Sequence, residues 1–139
     1  MSDRNLDLAQ KIIDLALSLG ADSADAVVGE SASLNVSCRL GQLEDTERSE
    51  SRELGLRAII GQQQAFVSGT AVDAEALQRL AERAVEMAKA TPADRYCGLA
   101  PAERLASKLP SLDLADDHEP SAAELQTMAQ EAEDTARAM

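Results

Sequence analysis

The sequence is poor in aromatic and basic residues, and both shortages exclude a class of partner. Its 139 residues include Phe66, Tyr96 and no tryptophan, so the stacking platform of a single-strand nucleic-acid binder is missing. Thirteen Lys and Arg residues stand against 25 Asp and Glu residues, which gives a formal net charge of −12. A surface of that sign repels phosphate backbones and anionic lipid headgroups. We therefore expect no nucleic-acid partner and no membrane partner.

Long apolar runs and paired cysteines are also missing. Residues 1–8 are polar and charged, unlike a signal peptide, and every apolar stretch is far shorter than a membrane span. Cys38 and Cys97 are distant in sequence and neither lies in a CxxC motif, so we expect two reduced thiols. These features together predict a cytoplasmic protein.

The N-terminal region has the period of an amphipathic helix. Apolar residues recur at three-to-four spacing at Leu8, Ile12, Leu15 and Leu19. Asn5 is a candidate N-cap, and Gly20 suits the left-handed position that follows a helix. The pattern predicts one helix between these two residues.

The period changes to two after the first helix. Residues 26–40 alternate apolar with small or polar side chains, which predicts a long half-buried strand ending at a Gly41 turn. Residues 42–52 are almost wholly polar and indicate a loop or a solvated strand. Residues 54–60 alternate again, and residues 64–70 follow a turn at 61–63. We expect an antiparallel meander of three or four strands.

The C-terminal half has the pattern of helices separated by an irregular segment. Asp73 begins a helix whose predicted buried stripe comprises Leu77, Leu80, Ala81, Ala84, Val85 and Ala88. Pro92 ends it, and four prolines within residues 92–120 favour irregular backbone with a short helical turn near 103–108. Ser121 and Glu124 form a capping box for a final helix. These predicted elements together indicate one α+β domain over residues 1–139: an N-terminal helix, an antiparallel sheet, then helices packed on the sheet.

The final helix has no stop signal. No Gly, Asn or Pro follows Ala132, and apolar residues continue to the last position. We therefore expect the chain to be a piece of a longer protein.

Neither candidate for catalytic chemistry has the spacing that the chemistry needs. His118 is followed by Glu119, as in zinc peptidases, but no second histidine exists and Pro120 interrupts a helix there. The acidic stretch from Glu44 to Glu53 would place carboxylates on both faces of a strand, interleaved with arginines. This is typical of a salt-bridged edge strand rather than an acid–base pair or a calcium loop. We assign no catalytic, cofactor-binding or metal-binding residue.

Several strings, in this order and spacing, carry a family resemblance. They are GADSADA at 20–26, RLGQLE at 39–44, ERS at 47–49, LGLRA at 54–58, ATPADRYCGL at 90–99 and the segment 112–121. Together they resemble the N-terminal domain of the TldD/PmbA family, long labelled modulator of DNA gyrase. The strings at 90–99 and 112–121 resemble the PmbA branch, also called TldE.

The resemblance implies a two-subunit cytosolic metallopeptidase that matures or degrades peptides. A TldD-type subunit would carry a zinc motif in its C-terminal domain, and the PmbA-type subunit would lack that motif. The implied partners are a TldD-type subunit, a C-terminal domain absent from this chain and a peptide substrate. No zinc ligand transfers to any position here, so the implied role is that of a non-catalytic domain.

An alternative from another class remains open. Because the chain carries no recognisable catalytic group, it also fits a stand-alone acidic module that binds a protein partner without a proteolytic role. Recovery of the chain with a TldD-like subunit alone would count against that alternative.

Overall fold

A computed structural model describes residues 3–108, 110–114, 116 and 118–139. Three helices, three strands and one 3-10 turn follow one another along the chain. They are α1 (Asp3–Ser18), β1 (Ser23–Arg39), β2 (Gln42–Ile60), β3 (Gln63–Gly69), α2 (Ala74–Ala90), the 3-10 turn (Ala102–Arg104) and α3 (Ala122–Arg137). This order confirms the predicted α+β class.

The three strands form one antiparallel sheet in the order β1-β2-β3. A two-residue turn joins β1 to β2, and a second short turn joins β2 to β3. Strand β3 pairs with the last part of β2, where Leu56 lies opposite Val67 and Ala58 opposite Ala65. Strand β2 is therefore central along residues 54–60.

The sheet has three strands because residues 42–52 and 54–60 belong to one strand, β2. The polar segment at 42–52 gave no period-two signal because its side chains are exposed on both faces, apart from the partly covered Arg52. Its extended conformation follows from pairing with β1 across the tight turn rather than from burial of one face.

The chain divides into two compact units. The core unit contains the residues up to Glu30 and those from Ser51 to Leu105, and the ribbon unit contains Ser31–Glu50 and Ala106–Met139. Strands β1 and β2 each contribute residues to both units. A single domain spanning residues 1–139 stays a prediction.

The core unit contains every buried hydrophobic residue of the described chain. Helix α2 packs against β3 and against α1. The fully buried large side chains are Ile12, Leu54, Leu56, Leu77 and Val85, and the six residues predicted as the buried stripe of α2 are all buried. Each such large side chain contributes about 1.5–3 kcal/mol by leaving water.

Helix ends follow the local signals, with one exception. Helix α1 ends in a Schellman motif, in which the Ala21 amide donates to the Ala16 carbonyl and Gly20 has a φ of +102°. Asp73 caps α2 through a hydrogen bond from the Ala76 amide. The predicted Asn5 cap is wrong, because α1 already begins at Asp3 and Asn5 lies within it.

The helical turn predicted at 103–108 is present only as the shorter 3-10 turn Ala102–Arg104, and residues 105–108 are not helical. The rest of the described residues between α2 and α3 are irregular, as the four prolines predicted. None of the described helices combines the length and apolarity that crossing a membrane requires.

Position 55 requires a glycine because the ring of Phe66 occupies the space that a side chain would need. A Cβ atom on Gly55 would lie 2.6 Å from the ring of Phe66, so the aromatic ring covers this glycine on the neighbouring strand. The other face of the same two strands supplies Leu54, Leu56 and Val67 to the core. In the LGLRA string, Leu54, Leu56 and Ala58 therefore belong to the core, whereas Gly55 lies beneath Phe66 and Arg57 pairs with Asp25.

Candidate functional site

The described residues of the ribbon unit are all exposed or half-buried. Every residue of β2 from Gln42 to Glu50 is exposed, whereas Leu54, Gly55 and Leu56 of the same strand are buried. A strand in a folded domain normally covers at least one face. The first half of β2 instead presents side chains to water on both faces.

The ribbon unit also carries most of the charge. It contains twelve of the 25 acidic residues but only four of the 13 basic ones, a net charge of −8. The core unit accounts for the remaining −4. The expected salt-bridged strand is present, since Arg48 pairs with Glu50 at 2.7 Å and Arg39 with Glu44 at 3.7 Å.

The turn between β1 and β2 has an unusual backbone and is held from α3. Leu40 and Gly41 have φ angles of +54° and +73°, as a two-residue hairpin turn requires, although leucine disfavours this region. The Glu133 carboxylate accepts hydrogen bonds from the Leu40 amide at 2.7 Å and the Gly41 amide at 2.9 Å. Gln130 donates to the Gly41 carbonyl at 3.2 Å.

These hydrogen bonds favour the ionised form of Glu133. The amides of Gly41 and then Leu40 lower the pKa of its carboxyl group below the ordinary glutamate value. Sequence reasoning missed Glu133, because its partners lie more than 90 residues away along the chain. The turn itself had a local signal, a Leu-Gly pair between two extended segments.

Helix α3 begins at the predicted capping box. The Glu124 amide donates to the Ser121 hydroxyl at 3.3 Å, and the Glu124 carboxylate accepts from the Ser121 amide at 2.7 Å. The bonds from Ser121 lower the pKa of Glu124. No residue of α3 is fully buried, and the contacts that hold this helix include its capping box and the hydrogen bonds of Gln130 and Glu133 to the β1–β2 turn.

A small cleft lies within the ribbon unit, beside the start of α3. Its volume is about 180 Å³, and it is lined by Ala32, Ser33, Leu34, Arg48, Glu119, Pro120 and Leu125. Arg48 lies 3.8 Å from Glu119 in this cleft. Hydrogen bonding and charge from Glu50 raise the pKa of Arg48, so the guanidinium is already matched by carboxylates.

The single histidine is exposed, and both cysteines are free thiols. His118 is exposed, and its amide donates to the Asp116 carboxylate at 2.9 Å; Asp117 lies outside the described residues. Cys38 and Cys97 are free thiols, and Cys38 contacts the Gln126 carbonyl at 3.8 Å. Within the described ranges, no three His, Cys, Asp or Glu side chains are grouped to hold a metal ion.

Comparison with known proteins gives one consistent family. Residues 24–88 match the model described as PmbA/TldA metallopeptidase domain 1. The chain is 33% identical over 123 residues to "Metalloprotease PmbA homolog" of Haemophilus influenzae, covering 86% of this chain and 27% of that protein. It is 29% identical over 132 residues to "Metalloprotease PmbA" of Escherichia coli O157:H7, covering 93% of this chain and 29% of that protein.

Solved structures give the same fold. A proposed modulator of DNA gyrase from Bacteroides thetaiotaomicron matches 84% of this chain and 26% of its own, with a TM-score of 0.76 and 20% identity. TldE from Thermococcus kodakarensis matches 76% of this chain and 24% of its own, with a TM-score of 0.63 and 16% identity. The chain thus spans under a third of the length of these relatives. By sequence the chain is similar to the PmbA/TldD family, and its residues 24–88 match the model of that family's first domain.

Proposed function

We propose that this chain is the N-terminal, non-catalytic domain of a PmbA/TldE-type subunit in a TldD/PmbA metallopeptidase complex. The complex would serve peptide maturation and proteolysis in the cytoplasm. Zinc would belong to the C-terminal domain of a TldD-type partner, and this chain would contribute to assembly and to shaping the space for a peptide substrate.

One observation carries the proposal: the ribbon unit buries none of its described residues yet is ordered by specific contacts. A surface that a domain holds in shape without using it for its own core suits contact with another polypeptide. The two curated relatives support the PmbA branch, since both are named for it. Their metalloprotease names support a proteolytic setting for the whole protein.

Isolation of the native gene product from its own cells tests the proposal. An antibody against this chain should recover a TldD-type subunit together with peptidase activity that a zinc chelator abolishes. The intact mass of the recovered product should lie far above the 14.7 kDa of this chain.

The alternative is an acidic interaction module without a proteolytic role, and the net charge of −8 on the ribbon unit is the observation in its favour. It predicts recovery of a product near 14.7 kDa with a different partner and no chelator-sensitive peptidase. That result would overturn the proposed function.

A further inference from the structure

Strand β2 has a long edge that the sheet does not use. Strand β3 pairs with β2 only over residues 54–60. Among the described residues, no strand of the sheet pairs with that side of β2 between Gln42 and Glu50. At about 3.3 Å per residue this edge is about 30 Å long, enough for an extended segment of eight residues. Such an edge is a template for strand addition.

The side chains along this edge are mostly acidic, which indicates the charge that a bound segment should carry. Four acidic residues lie within the nine positions, Glu44, Asp45, Glu47 and Glu50, and the one arginine there, Arg48, already pairs with Glu50. Asp45 and Glu47 are exposed. Because they are two positions apart, they share one face of the strand at a spacing of about 7 Å, and Arg48 lies on the other face.

A second copy of the chain fits this edge poorly. Pairing two copies would bring the same carboxylates together on a molecule that already carries a net charge of −12. Like charges opposite each other in a sheet are destabilising. A segment with lysine or arginine at alternate positions would instead place its cations opposite Asp45 and Glu47.

We propose that the Gln42–Glu50 edge of β2 binds an extended peptide substrate rich in lysine and arginine by strand addition. The inference deepens the proposed function, on which it rests, by naming a substrate class and its binding site. Main-chain hydrogen bonds supply pairing with little dependence on sequence, and the carboxylates select cationic side chains.

Peptide binding to the full 139-residue chain tests the inference. The probe is a fluorescent peptide of alternating lysine and valine, about eight residues long to match the edge, and we expect saturable binding. Amide hydrogen exchange should show new protection within residues 42–50. A peptide with glutamate in place of lysine, and a lysine peptide N-methylated at alternate residues, should each bind at least about tenfold more weakly.

Paired charge reversals provide the matched control. Asp45→Lys with Glu47→Lys should weaken binding of the lysine peptide about tenfold, whereas Glu82→Lys with Glu86→Lys, the same charge change on exposed positions of α2, should change it by less than about threefold. Circular dichroism verifies that both variants are folded.

Four outcomes would overturn the inference, and the first three are no saturable binding, equal weakening by both charge reversals, and new amide protection only at positions other than 42–50. Unchanged binding of the N-methylated peptide would also overturn it, by indicating attraction without strand pairing. Each result is separable from failure of the proposed function, because recovery of a TldD-type subunit does not depend on the peptide measurement.

Discussion

The core unit and the ribbon unit each contain part of β2, which has buried side chains in the core unit and only exposed ones in the ribbon unit. In the core unit β2 contributes Leu54 and Leu56, both fully buried, and the net charge is −4 over 85 residues. In the ribbon unit β2 is exposed throughout, and the net charge is −8 over 54 residues. Stability is therefore concentrated in one unit, and surface available to other molecules in the other.

The largest expected effect is a difference in the free energy of unfolding between two variants, one with a substitution in the core unit and one with a substitution in the ribbon unit. Leu56→Ala removes a fully buried side chain of the core unit and should lower the free energy of unfolding by about 2–5 kcal/mol. Leu114→Ala in the ribbon unit removes a side chain that is 84% exposed and should change it by less than about 0.5 kcal/mol. Urea denaturation measures both, and equal losses would contradict the division.

The second prediction concerns α3, the helix that has no fully buried residue. Ser121→Ala removes the N-cap of α3 and should destabilise that helix by about 1 kcal/mol. Because α3 has no fully buried residue to compensate, amide exchange in its first turn should accelerate while α2 stays protected. Thr127→Ala, at an exposed position inside α3, should instead slow exchange slightly. Equal acceleration in α2 would show that the helices unfold together.

The third prediction should stabilise the turn between β1 and β2. Leu40→Asn creates an Asn-Gly pair, which tolerates the positive φ angles of this turn better than Leu-Gly does. The free energy of unfolding should rise by about 0.5–1 kcal/mol, because Leu40 is 67% exposed and its replacement removes little buried apolar surface. Leu43→Asn, the same change on the adjoining strand, should give no gain. Slower amide exchange in the turn is the readout, and an equal gain from both variants would contradict the backbone explanation.

Sequence reasoning succeeded where burial imposes a period. The six buried positions of α2 and the Schellman ending of α1 at Gly20 were predictable, since apolar spacing and a glycine are local signals. The extent of β2 was not, because residues 42–52 bury no face and so show no alternation. The Glu133 contacts with the turn were not predictable either, because a single glutamate among 25 acidic residues carries no local signal of a distant partner.

The smallest expected effect is a pH dependence of the turn between β1 and β2, in the ribbon unit. The Gly41 and Leu40 amides lower the pKa of Glu133 in the folded protein, so its contribution to stability is present above the unfolded glutamate value of about 4.3 and is lost as pH falls through the lower folded value. The Gly41 amide resonance should therefore titrate below about pH 4.3, with faster exchange at the acidic end. Glu133→Gln should abolish this titration, whereas Glu131→Gln, on an exposed position of the same helix, should leave it intact. A Gly41 amide that still titrates in the Glu133→Gln variant would mean that another carboxylate holds the turn.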